Sequence, residues 1–215
     1  MIKDNLNQIK ASLPNDVELI VVSKFRPLEQ LMEVYETGHR QFAENRVQEL
    51  TTKYESMPKD VLWHMIGHLQ SNKVKYIAPF IHLIHSVDSF ELATEINKQA
   101  LKNNRIIPVL LQFHIAQEET KSGFSTDGFQ TIIPDLIKLE GIEIQGVMGM
   151  ASLTDNQEQV FQEFSHLKSI FNSLKNSYFQ NHPNFKIISM GMSGDYLIAV
   201  KAGSTMVRVG SLVFE

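Results

Sequence analysis

The run VELIVVS (17–23) is apolar and strand-forming, and it leads directly into Lys24, with Phe25, Arg26 and Pro27 behind it. An amine where a buried strand stops is either a solvated surface charge or a group delivered into a site. In a site, partial loss of solvation disfavours the ammonium form and makes the amine nucleophilic. Such a lysine forms a Schiff base with an aldehyde.

The segment SMGMSGDYLIAVKAGSTMVRVGS (189–211) is the second candidate. Two turns rich in Gly and Ser flank a short helix, and Ser193 and Gly194 fall at its start, where free backbone N–H groups favour an anion. Ordinary turn chemistry accounts for the same residues. Arg208 interrupts the apolar TMVRVGSLVF, and a buried arginine needs a partner because an unpaired buried charge is costly. That partner is a core carboxylate or an acceptor on a ligand ring, such as a pyridine nitrogen. A protonated arginine would leave that nitrogen unprotonated and weaken the ring as an electron sink. Pyridoxal phosphate is one aldehyde that a strand-end lysine takes.

Other polar groups carry less. His64 and His68 in HMIGHLQSNK (64–73) lie four apart, but the glutamate of H-E-x-x-H is missing and Gly67 points to a turn, so no metal is expected. His82 and His85 point to opposite faces of a strand and make no ligand pair. EETKSGF (118–124) reads as a lid or an exposed loop. Met148, Met150, Met190 and Met192 read as packing material.

Elements must bring these residues together. The strand runs are VELIVVS (17–23), RQFAE (40–44), VLWHMIG (61–67), IHLIHSV (81–87), IPVLLQFHI (107–115), EIQGVMGM (143–150), FKIISMG (185–191) and TMVRVG (205–210). Helical patterns alternate with them: Val160, Phe164, Leu167, Phe171 and Leu174 share one face, as do Leu28, Leu31, Met32 and Tyr35. Pro27 and Gly38 bracket one helix, and Asp88 or Ser89 caps another. Strands apolar at consecutive positions are buried on both faces, as in parallel βαβ units. Eight such units predict an α/β fold, a (β/α)8 TIM-type barrel in a single domain over residues 1–215, preceded by a short N-terminal helix. A doubly wound open sheet is the alternative, without the G-x-G-x-x-G that would support it. In a barrel the working face lies at the C-terminal strand ends, where Lys24, Asn45, His68, Ser189, Ser193, Arg208, Gly210 and Ser211 would converge.

Composition bounds the partners. The 215 residues are 43% hydrophobic, enough for a sizeable core, with 20 Lys and Arg against 24 Asp and Glu. No basic face is implied, so nucleic acid is not an expected partner. The absence of cysteine excludes disulfides and thiolate metal sites. MIKDNLNQIKASL lacks the apolar core of a signal peptide, and no apolar stretch reaches membrane-spanning length. A soluble cytoplasmic protein, monomeric and without a membrane partner, is expected.

VSKFRP, FAENRVQEL, WHMIGHLQSNKVKYI, IHSVDS, EETKSGF and SMGMS…AGSTMVRVGSLVF occur in this order across nearly the whole chain. The set resembles the pyridoxal phosphate homeostasis protein family, similar in fold to the N-terminal barrel domain of alanine racemase. The resemblance implies pyridoxal 5′-phosphate held as an internal aldimine on Lys24. It implies Arg208 facing the pyridine nitrogen, Gly210, Ser211 and Ser193 on the phosphate, and Asn45 and Ser189 lining the pocket. It also implies cofactor binding, buffering or carriage, with cofactor-accepting apo-enzymes as partners and no independent turnover. FHIAQEETKSGF departs from the family's more usual VNxxxExxKxG-like stretch, and GVMGMAS from its usual strand-six pattern.

A pyridoxal-phosphate-dependent amino-acid racemase is the competing function. It needs a proton acceptor on each face of the substrate carbon. In alanine racemase a tyrosine of a separate domain supplies the second, and the five tyrosines here (35, 54, 76, 178 and 196) have no evident aim at a substrate. A phosphate-sugar enzyme using Lys24 as an aldolase-type lysine is a third reading.

Overall fold

A computed structural model describes residues 1–118 and 122–215. Eight parallel strands close into a barrel in chain order. They are β1 (Glu18–Val22), β2 (Gln41–Glu44), β3 (Leu62–Met65), β4 (Leu83–Val87), β5 (Ile107–Gln112), β6 (Ile142–Met148), β7 (Ile187–Ser189) and β8 (Met206–Val209). Pairing of β1 with β8, with Ile20 opposite Arg208, seals the ring and excludes the open sheet. Every strand falls in its predicted run except that β6 begins one residue early. β7 is shorter than 185–191 because its pairing with β8 is brief, and single bonds such as Met190 N–H to Met206 O continue it.

Helices α1 (Ile2–Ser12), α2 (Leu28–Glu36), α3 (Val47–Ser56), α4 (Val74–Ile77), α5 (Phe90–Lys102), α6 (Ile133–Ile137), α7 (Gln157–Ser177), α8 (Tyr196–Lys201) and α9 (Ser211–Phe214) surround it. The predicted stripe of α7 is buried throughout, from Val160 to Leu174. Ser89, rather than Asp88, caps α5, its hydroxyl accepting from the Leu92 N–H. Asp88 is engaged elsewhere, by His68. The predicted N-terminal helix is α1, and Asn5 ties it to α9 through the Val213 carbonyl.

Side chains alternate along each strand between the helical layer and the barrel interior. Phe42, Trp63, Ile84, Leu111 and Val207 pack with the helices. Ile20, Val22, Ala43, Leu83, Leu110, Met148 and Met206 form a smaller cluster within the ring. Laterally paired residues of a parallel sheet face the same side, so the register places the polar residues too. His64 pairs with inward Ala43 and Leu83, Arg208 with Ile20, and Ser189 with Met148 and Met206. His85 follows Leu83 by two and shares its face. The barrel interior is therefore apolar on one part and polar on the rest.

Candidate functional site

The turn after β1 is fixed from below. The Ser23 hydroxyl donates to the Glu44 carboxylate at 2.6 Å, and the Ser23 carbonyl accepts from Lys53 Nζ at 2.8 Å. Lys53 also donates to Glu44 at 2.7 Å, and all three residues are buried. Burial pushes the Glu44 carboxyl up, and hydrogen bonds from Lys53 and Ser23 oppose the rise. The chain then turns outward. Phe25 has a φ of 62°, an outlier for a bulky residue. Its N–H is held by Glu49, and Arg46 lies 5.4 Å from its ring centre. Arg26 is tied to Glu215 at 2.6 Å and lies over Phe214.

This turn carries Lys24 to the rim of a cavity of about 740 Å³ at the C-terminal mouth. Asn45, Ser193, Arg208, Gly210 and Ser211 line the same cavity, joined by Phe25, His68, Gln112, Met192 and Gly194. Three expectations change. Lys24 is exposed rather than partly desolvated, because the left-handed turn at Phe25 stands the segment away from the barrel. Met192 is exposed in the cavity rather than packed, whereas Met148 and Met190 are fully buried. Ser189 lies one layer deeper than a lining residue, fully buried and in contact with Arg208.

Arg208 meets neutral acceptors. It forms no ion pair among the described residues; it donates to Ser189 Oγ at 2.6 Å and to the Gly149 carbonyl at 3.2 Å. Burial lowers its guanidinium to about 10, with Asp195 opposing, so it stays charged at neutral pH. A buried cation without a carboxylate partner, at the floor of an open cavity, is placed to receive an acceptor from a ligand.

Two residues further on, the Gly210 N–H donates to Ser193 Oγ at 3.3 Å and links the two Gly/Ser turns. The backbone N–H groups of Ser193, Gly194 and Ser211 meet no acceptor among the described residues. A methyl group at Gly194 would touch nothing within 4 Å. These open donors suit an anion. Asn45 adds a buried side-chain carbonyl with no partner among the described residues. Gly67 lets the Asn45 backbone come close: a Cβ there would lie 2.2 Å from the Asn45 carbonyl oxygen.

The histidines divide as the turn at Gly67 demands. His68 is at the rim, 3.2 Å from Asp88, while His64 is enclosed in the barrel. Among the described residues no group of three or more His, Asp or Glu side chains could hold a metal. Reading each motif separately missed that His64 and His85, from neighbouring strands, bond to each other at 2.9 Å. The available signal was one polar residue at an inward position in each of two apolar strands. The EETKSGF loop is anchored at its return, where Gln112 donates to the Ser122 carbonyl and Phe113 packs on Phe124 and Phe129. That packing accounts for the unusual Phe113. Glu119, Thr120 and Lys121 lie outside the described residues.

Desolvation lowers His39 to about 4 and holds His64 and His85 well below the ordinary imidazole value. Unfolded rings take up protons near 6.5, so the stabilisation is complete above that value and is lost as pH falls toward 4. Each ring contributes about 1.4 kcal/mol per pH unit within its window. Urea denaturation across this range is expected to show stability falling steadily with pH. A flat profile would contradict the neutral burial of these rings.

The barrel that carries the rim lysine and the Gly/Ser turns belongs to a recognised class. The family described as "Alanine racemase, N-terminal domain" matches residues 1–215. Within that class, the chain belongs to the pyridoxal phosphate homeostasis protein family. It is 38% identical over 201 residues to the "Pyridoxal phosphate homeostasis protein" of Aquifex aeolicus, covering 93% of this chain and 87% of that one. The structure of PipY from Synechococcus elongatus without PLP superposes with a TM-score of 0.93 at 33% identity over the full length of both chains. With PLP bound, the same protein gives 0.89 at 32% identity, again over the full length of both. Among the described residues no helix is long and apolar enough to cross a membrane.

Proposed function

We propose that residues 1–215 act as one domain that binds pyridoxal 5′-phosphate in the mouth cavity, as an internal aldimine on Lys24. Its role is intracellular homeostasis of the cofactor, buffering or carrying it in the cytoplasm as a monomer and passing it to apo-enzymes, without independent turnover. The observation that carries this reading is the one cavity joining Lys24, a buried arginine with no ion-pair partner among the described residues, and a turn pair with open N–H donors. Lys24 offers the amine and Arg208 a donor to the ring nitrogen. Ser193, Gly194 and Ser211 offer hydroxyls and open N–H groups to the phosphate, Gly210 would turn its N–H from Ser193 Oγ to the phosphate, and Asn45 offers a polar contact beside the ring. When bound, the cofactor supplies an aldehyde conjugated to a pyridine. A charged Arg208 can donate to that nitrogen but not accept from it, which keeps the ring a weak electron sink and favours holding over turnover.

The test is the visible spectrum of the purified protein before and after borohydride, beside Lys24→Ala. The expected result is a yellow band that borohydride fixes to the chain and that the variant lacks. A protein that stays colourless with added pyridoxal phosphate would end the cofactor reading.

The racemase-type enzyme is the second reading. His68, backed by Asp88, is a proton-transfer group on the cavity rim and favours it. Against it, no tyrosine lines the cavity among the described residues, and the Tyr196 hydroxyl is engaged by Ser12. Loss of optical activity from an L-amino acid incubated with the loaded protein would establish the enzyme.

A further inference from the structure

The interior of this barrel contains an unbroken polar line. Arg208 Nη1 lies 2.6 Å from Ser189 Oγ, and Ser189 Oγ lies 2.9 Å from His85 Nδ1. His85 Nε2 lies 2.9 Å from His64 Nδ1, and His64 Nε2 lies 3.0 Å from Gln41 Oε1. Gln41 Nε2 then reaches Glu18 Oε2 at 3.1 Å. Both rings and Ser189 are fully buried, Gln41 is half-buried and Glu18 is exposed. Glu18 and Gln41 begin their strands, whereas Arg208 faces the mouth, so the line spans the barrel from end to end.

The two ends fix its direction. A guanidinium only donates and a carboxylate only accepts. Arg208 therefore donates to Ser189, whose one hydroxyl proton goes to His85 Nδ1. A neutral His85 then carries its proton on Nε2 and donates to His64 Nδ1. His64 likewise carries its proton on Nε2 and donates to Gln41 Oε1, leaving the Gln41 amide to donate to Glu18. Every group in the line is satisfied in this direction, with neither ring protonated. An apolar filling would avoid the desolvation cost that two buried imidazoles impose, so stability alone is a poor reason for them.

We infer that Ser189, His85, His64 and Gln41 are positioning residues: one directed hydrogen-bond chain that orients the Arg208 guanidinium at the mouth and ties it to Glu18 on the opposite face. The ligand end of this inference rests on the proposed cofactor reading, because Arg208 acts there on the ring nitrogen. The chain itself does not depend on that reading.

Long-range ¹H–¹⁵N spectra of the histidine side chains, taken on the full chain without cofactor, test it. Both His64 and His85 are expected as neutral Nε2–H tautomers. Ser189→Ala removes the donor at one end, so the His85 Nδ1 resonance is expected to shift as its lone pair loses its partner, while the Gln41 end still holds both rings as Nε2–H. Ser189→Thr keeps the hydroxyl and the wild-type pattern. Should Ser189→Ala not fold, Gln41→Leu puts the same question from the half-buried end, with the shift expected at His64 Nε2. Binding of added pyridoxal phosphate is expected to weaken about tenfold in Ser189→Ala and to recover in Ser189→Thr, since hydrogen bonds to charged groups carry that much. An Nδ1–H tautomer on either ring in the wild type overturns the inference, as does a His85 Nδ1 resonance unmoved by Ser189→Ala or a His64 Nε2 resonance unmoved by Gln41→Leu. Unchanged cofactor affinity in a folded Ser189→Ala protein whose His85 Nδ1 resonance has shifted overturns the positioning of Arg208. A wild type with the expected tautomers that binds no pyridoxal phosphate removes the cofactor reading and leaves the chain standing.

Discussion

Replacing Lys53 with methionine is expected to destabilise the protein by about 3–5 kcal/mol, the usual cost of leaving one member of a buried ion pair without its partner. Lys53 is 7% exposed and Glu44 fully buried, so water cannot replace the lost ammonium. The same amine holds the Ser23 carbonyl, so the substitution also removes one of that carbonyl's two donors, leaving the Arg26 N–H alone directly beneath the turn that presents Lys24. Glu44 is already pushed up by burial, and without Lys53 it is pushed further. A carboxyl raised in the folded state binds its proton more readily there than in the unfolded chain. Stability of the variant is therefore expected to rise as pH falls through the raised value, levelling near the ordinary 4.5. Combining Glu44→Leu with Lys53→Met is expected to recover part of the loss, because two apolar groups carry no uncompensated charge. Denaturant midpoints of the single and double variants measure both effects. A Lys53→Met protein as stable as wild type would show that the pair is not desolvated.

What could be read in the sequence was what a strand or helix decides by itself. Runs apolar at consecutive positions announce strands buried on both faces, and that identified all eight. Arg208 stood out because an arginine between valines has no surface to reach. Gly67 was legible as a turn separating two histidines. The rest depends on ring closure. His64 and His85 are unremarkable in their own strands, and become partners only when β3 lies beside β4 with Ala43, His64 and Leu83 in register. Lys53 sits on a helix face where lysine is usually solvated, and only the packing of α3 on β2 carries it beneath Ser23. Nor could a strand pattern foresee that Phe25 adopts a positive φ and holds Lys24 in the open.

The seam between β6 and β7 is where fold and site depend on each other most directly, and Gly146→Ala is expected to break it. A Cβ at Gly146 would lie 1.8 Å from the Ile187 carbonyl oxygen and 3.0 Å from its Cα, all backbone atoms that no rotamer change can move aside. Gly146 also has a φ of +154°, reached just past a register shift against β5. An alanine there meets both backbone strain, about 1–3 kcal/mol, and overpacking, about 1–3 kcal/mol. For a chain of this size their sum lowers the melting temperature by roughly 10 °C. The functional consequence follows from what the two strands carry. Arg208 donates to Ser189 at the end of β7 and to Gly149 just beyond β6, so parting the strands pulls its two acceptors apart. Arg208 is then no longer held at the cavity floor, while Lys24, on the far side of β8, keeps its turn. The variant is expected to retain covalent trapping of pyridoxal phosphate by borohydride while its reversible affinity drops. Equal loss of trapping and affinity would mean that the seam supports the whole mouth rather than Arg208 alone.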